Sequence, residues 1–118
     1  MKYLKYFEDL NNFDFLGKNL ITLNGLNIPK NIPGNFNCRY NKLTSLEYGP
    51  ETVGINFDVS NNNLTSLEFC PRSIGGGFSC AWNKITSLQY CPETVNGDFW
   101  FQDNNLTSLE FGDRKSVV

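Results

Sequence analysis

The sequence predicts a mainly β solenoid: a short right-handed stack of leucine-studded coils with a parallel β-sheet along one face and a small N-terminal helical cap. Three observations predict it. A 21-residue period aligns Phe36, Phe57, Phe78 and Phe99, and with them Leu46, Leu67, Leu88 and Leu109. Periods in this range are the signature of stacked coils, each too small to bury its apolar face alone. Each copy opens on a period-two alternation, Phe36 with Cys38, Phe57 with Val59, Phe78 with Cys80 and Phe99 with Phe101, as a half-buried strand requires. Each then runs through an asparagine into L-T-S-L or I-T-S-L, a polar bend followed by two apolar anchors.

Residues 1–12 are expected to form the cap, because Tyr3, Leu4, Phe7 and Leu10 recur at helical spacing. Residues 13–33 read as a degenerate first repeat. Phe13, Phe15, Leu20 and Leu23 keep the strand and L-x-x-L spacing, and Pro29 with Ile32 keeps the later P-x-x-V spacing. Residues 34–118 hold four 21-residue repeats without an insertion, the whole forming one domain. Within a repeat, the asparagine, the L-x-x-L step and the P-x-x-V step (Val53, Ile74, Val95) bring the chain back to its start.

The repeated phrase has a structural explanation. Both leucines of L-T-S-L point inward, while Thr and Ser hydroxyls serve turn backbone groups. Asn41, Asn62, Asn83 and Asn104 form a column at a tight bend. An amide that both donates and accepts can serve backbone groups in its own turn and in the next coil, and buried backbone demands such partners. This column is structural.

Composition excludes several functions. The 118 residues carry 10 basic and 12 acidic side chains, and residues 34–118 alone carry 6 and 9, so no basic stripe is present for nucleic acid or an anionic membrane. No apolar run is long enough to span a bilayer, and the N-terminus lacks the apolar stretch and small-residue site of a signal peptide. A cytoplasmic location is expected.

Histidine is absent, so neither a Ser-His-Asp nor a Cys-His nucleophile can be assembled, and metal sites lose their commonest ligand. Glu47, Glu68 and Glu110 share a column with Gln89 and read as a solvated face. No catalytic residue, metal or cofactor is assigned. Glu51, Arg72, Glu93 and Arg114 alternate in sign and predict a ladder of ion pairs along one edge. Cys38 and Cys80 occupy the inward strand column, two coils or roughly 10 Å apart and too far to bridge. Cys70 and Cys91 fall on adjacent coils at bridging distance, yet are expected as thiols in a reducing compartment.

"FDVSNNNLTSL", with Phe57, Val59, Asn62, Leu64 and Leu67 at the defining positions, resembles the leucine-rich repeat pattern L-x-L-x-x-N-x-L-x-x-L. "FNCRYNKLTSL", "FSCAWNKITSL" and "FWFQDNNLTSL" fit equally. The compact period looks most like repeats of bacterial effectors and, more closely, arrays in tailed-phage and related bacterial proteins. The resemblance covers roughly residues 13–118 and implies a strand-lined face that recognises a partner.

Recognition is expected where the repeats differ. The outward strand positions are Asn37, Asp58, Ser79 and Trp100, then Arg39, Ser60, Ala81 and Gln102, flanked by Tyr40, Asn61, Trp82 and Asp103. Of these, Asn37, Arg39, Tyr40, Asp58, Ser60, Ser79, Trp82, Trp100 and Gln102 are the candidate partner-binding residues, since Trp, Tyr and Arg contribute disproportionately to interfaces. The expected function is a non-enzymatic module that masks a host protein, of phage or bacterial origin. One alternative is a self-associating assembly protein pairing through its C-terminal coil, where "FGDRKSVV" shows no cap. Another is a sponge for a small ligand held between aromatics.

Overall fold

A computed structural model describes residues 11–109. Nine two-residue strands follow in order: β1 (Phe13–Asp14), β2 (Asn31–Ile32), β3 (Phe36–Asn37), β4 (Thr52–Val53), β5 (Phe57–Asp58), β6 (Ser73–Ile74), β7 (Phe78–Ser79), β8 (Thr94–Val95) and β9 (Phe99–Trp100). Odd-numbered strands form one five-stranded sheet in the order β1-β3-β5-β7-β9, and even-numbered strands form a second in the order β2-β4-β6-β8. All pairings are parallel, and all but β1–β3, where Phe13 opposes Phe36 at a spacing of 23, keep the 21-residue period: Phe36 opposes Phe57, Phe57 opposes Phe78, and Val53 opposes Ile74. The molecule is a β solenoid of 21-residue coils. The P-x-x-V step, expected only as a return path, is itself a strand in each of the four coils where it is described, so two sheets enclose the core.

The core is a set of columns. Phe36, Phe57 and Phe78 are buried, and their rings follow one another at 5.4 and 5.5 Å, extended to Phe99 at 4.9 Å. The leucine columns (Leu43, Leu64, Ile85 and Leu46, Leu67, Leu88) and the second-sheet column (Ile32, Val53, Ile74) are equally dry. Stacking like on like makes each coil the lid of the one before. Phe99, Phe101 and Leu106, in the last described coil, are only partly covered.

The asparagine column is buried with the apolar ones: Asn41, Asn62 and Asn83 are each at most 8% exposed. Asn62 Nδ2 donates to the carbonyls of Val59 and Ser60 in its own coil and Cys38 in the coil before, and its Oδ1 accepts the Leu43 N–H at 2.9 Å. Asn83 repeats this set with Cys80, Ala81, Val59 and Leu64, and Asn104 with Phe101, Gln102, Cys80 and Ile85. Asn41 reaches Phe15 and takes the N–H of both Lys18 and Leu20. The inter-coil bonds run to the preceding coil, not the next one, because the bend after each strand sits over the strand already laid down.

Other expectations change. Ser45, Ser66 and Ser87 accept the N–H two residues on, so serine rather than threonine makes the L-T-S-L turn. Arg114 lies outside the described residues, and among those described the ion-pair ladder does not form: Arg39–Asp58, at 3.9 Å, is the sole pair. Glu51, Arg72 and Glu93 meet through their backbones, Arg72 N–H on Glu51 O and Glu93 N–H on Arg72 O, and their exposed side chains stay in water. The expected helical cap falls almost wholly outside the described residues, among which there is no helix. No described helix is long and apolar enough to cross a membrane.

Candidate functional site: the outward strand face and its cleft

The odd-numbered sheet aims Asp14, Asn37, Asp58, Ser79 and Trp100 outward in register, as the strand alternation requires. The inner members serve the backbone as well. Asn37 Oδ1 accepts the Arg39 N–H, and Asn37 Nδ2 donates to Asp14. Asp58 Oδ1 accepts both the N–H and the hydroxyl of Ser60, which leaves Ser60 at 8% exposure and out of reach of a partner. Ala81, in the same column, is also buried. Only Arg39 and Gln102 of that column are exposed.

At the next corner, Tyr40, Asn61, Trp82 and Asp103 all adopt a left-handed backbone, with φ between 56 and 58°. The ladder holds them there: Tyr40 N–H bonds Ser60 O, Asn61 N–H bonds Ala81 O and Trp82 N–H bonds Gln102 O. The first coil places Gly17 at this corner, with φ 60°. Asparagine and aspartate tolerate this region, but a bulky side chain is costly there. Tyr40 and Trp82 nevertheless stand 60% and 57% exposed, and Trp100 joins them at 53%. A second left-handed corner carries Gly25 in the first coil and then Tyr48, Phe69 and Tyr90, all more than half exposed.

The asparagine at 35 and 56, just before the strand, makes a further ladder that sequence reasoning missed. Asn35 N–H bonds Asn12 Oδ1, Asn56 N–H bonds Asn35 Oδ1, and Gly77 N–H bonds Asn56 Oδ1. At Gly77 the column loses its side chain and the ladder stops. A cleft of about 500 Å³ opens there, lined by Asn56, Asp58, Ser79, Asp98, Trp100 and the glycines 76, 77 and 97. Reading Asn35, Asn56, Gly77 and Asp98 as one column at the 21-residue period would have flagged the gap.

Scanned against protein-family models, curated proteins and solved structures, the chain matches none.

The two cysteines of the inward strand column are removed from thiol chemistry by burial. Cys38 and Cys80 are buried free thiols. Burial pushes the Cys38 thiol up to about 12, with the Asp58 charge adding to it, and burial likewise pushes Cys80 up to about 12. Thiols so raised are poor nucleophiles. No cluster of metal-ligating side chains occurs among the described residues. What the face offers is exposed aromatic area, one exposed guanidinium at Arg39 and an acidic cleft.

Proposed function

We propose that this chain is a non-catalytic protein-binding module that masks a protein partner through the variable outward face of its odd-numbered sheet. The observation that carries the proposal is the placement of Tyr40 and Trp82, large exposed aromatics at a left-handed corner where the first coil has glycine. The fold does not ask for them, and each carries a backbone cost of about 1–2 kcal/mol. Strain of this kind points to a role outside stability. With Trp100 they supply the aromatic anchors that dominate protein interfaces. The leucine-rich-repeat resemblance, of the phage and bacterial type, supports a host protein as the target and the bacterial cytosol as the place.

Self-association is the second reading, favoured by the last described coil. Among the described residues β9 pairs only with β7, and Leu109 is 62% exposed. Affinity capture from a bacterial lysate, with bound proteins identified by mass spectrometry, separates the two. The masking function predicts a protein retained by the wild type and released by Trp82→Ala and by Trp100→Ala, both variants remaining folded. Capture unaltered by either substitution refutes the face. Light scattering across a concentration series that shows a stable dimer dissociated by a charge at Leu109 favours self-association instead.

A further inference from the structure

The cleft over Gly77 has a chemistry narrower than "protein-binding". Its carboxylates, Asp58 and Asp98, are accompanied by no cationic side chain in the lining. Asp58 has Oδ1 committed to Ser60, with Oδ2 facing the Arg39 guanidinium at 3.9 Å. The Asp98 carboxylate meets neither a donor nor a cation among the described residues. Trp100 supplies an exposed indole at the rim, and Asn56 and Ser79 add a side-chain carbonyl and a hydroxyl. The floor is low because Gly76, Gly77 and Gly97 carry no side chains.

We propose that this cleft is a subsite for one arginine side chain of the bound protein, an assignment that rests on the protein-binding reading above. An aromatic rim beside two carboxylates, of which Asp98 faces no cation among the described residues and Asp58 only the exposed Arg39 at 3.9 Å, calls for a positive ligand. A guanidinium fits better than an ammonium. It is planar, stacks on an indole, and carries five donors in a fork that can serve Asp98 and Asp58 with Asn56 or Ser79. The Arg39–Asp58 pair shows a guanidinium already placed beside this column. The volume, about 500 Å³, leaves room for the partner residues on either side of the arginine.

Gly77 makes the assignment testable by filling the cleft rather than by damaging the fold. A Cβ at Gly77 meets the Asp98 carbonyl at 3.4 Å and Asn56 Oδ1 at 3.5 Å, ordinary contacts. Gly77→Asn would continue the Asn35–Asn56 column and cover the floor.

The experiment is a ¹H–¹⁵N titration of the full chain. The signals followed are the Trp100 indole N–H and the amides of Gly76, Gly77 and Gly97. The probes are acetyl-Gly-Arg-Gly-amide, its lysine analogue, its citrulline analogue (the neutral isostere of arginine) and a neutral disaccharide. The arginine peptide should shift these signals saturably, with weaker binding at higher salt. Citrulline should bind at least about tenfold more weakly, and Asp98→Asn or Trp100→Ala should weaken the arginine peptide by a similar factor. Gly77→Asn should abolish the shifts while leaving the remaining spectrum intact. Equal binding of citrulline and arginine overturns the assignment, as does a response to the disaccharide alone. Should the arginine peptide leave the signals unmoved while Trp100→Ala still releases the captured protein, the subsite is wrong and the binding face stands.

Discussion

Asn62 Oδ1 accepts the backbone N–H of Leu43 at 2.9 Å while its Nδ2 bonds Cys38 O, so one side chain stitches both ends of the preceding bend to its own coil. All the groups involved are buried. Asn62→Ala therefore strands one N–H and removes a donor shared by three carbonyls. A loss of roughly 3 kcal/mol or more is expected, at about 1–3 kcal/mol per buried unsatisfied group. Asn104→Ala should cost clearly less, because Asn104 is only half-buried in the last described coil. Urea denaturation of both variants checks this, and equal losses would contradict it.

Two glycines two residues apart should respond oppositely to alanine. A Cβ at Gly75 runs into the carbonyl of Gly54 in the coil below, which is backbone and cannot yield. Gly77 has ordinary clearance. Gly75→Ala is expected to destabilise by about 2 kcal/mol or more, in the range of overpacking. Gly77→Ala should be neutral or stabilise by about 0.4–1 kcal/mol through the unfolded chain. Thermal unfolding of the pair gives the comparison.

The aromatic corners should prove dispensable for folding. Phe69 has φ 68° and Tyr48 has φ 72°, with the rings in water. Phe69→Gly and Tyr48→Gly are expected to leave stability unchanged or raise it by about 1 kcal/mol, because relief of left-handed strain offsets the entropy of the added glycine. A melting temperature lowered by more than a few degrees in either variant would show that the rings hold the coil.

The buried thiols set an alkaline limit. Cys38 and Cys80 lie near 12 when folded, against 9.0 for an unperturbed thiol, with burial the leading cause at both. Above pH 9 the unfolded chain loses these protons and the folded one keeps them. Their contribution is thus complete below pH 9 and is lost as the pH rises toward 12, by about 1.4 kcal/mol per thiol for each pH unit. Denaturation midpoints should fall across this window in the wild type, and less steeply in Cys38→Val, which places at 38 the residue found at 59.

The candidate face was legible only in part. Trp82, Trp100 and Tyr40 are exposed as the outward columns suggested, Trp100 through strand alternation and Tyr40 and Trp82 through the left-handed corner that follows the strand. Ser60 was misplaced, since its hydroxyl is drawn under the Asp58 carboxylate. The cleft was missed because it is made by an absence, a side chain lacking at Gly77, and its effect depends on what stands around the gap.

By itself the sequence determined the coil, its period, the inward columns and the structural duty of the asparagines. Those follow from one physical fact: residues 21 apart become neighbours, so every core position must match its own copy. Only the tertiary structure decided that the P-x-x-V step is a second sheet, that the asparagines bond backward, and that bulky rings occupy left-handed corners. It also decided that the cleft gathers Asp58 with Asp98 and Trp100, which belong to a coil two copies further on. Each of these depends on where a backbone turns between strands. Turn geometry is set by hydrogen bonds between coils rather than by the pattern within one.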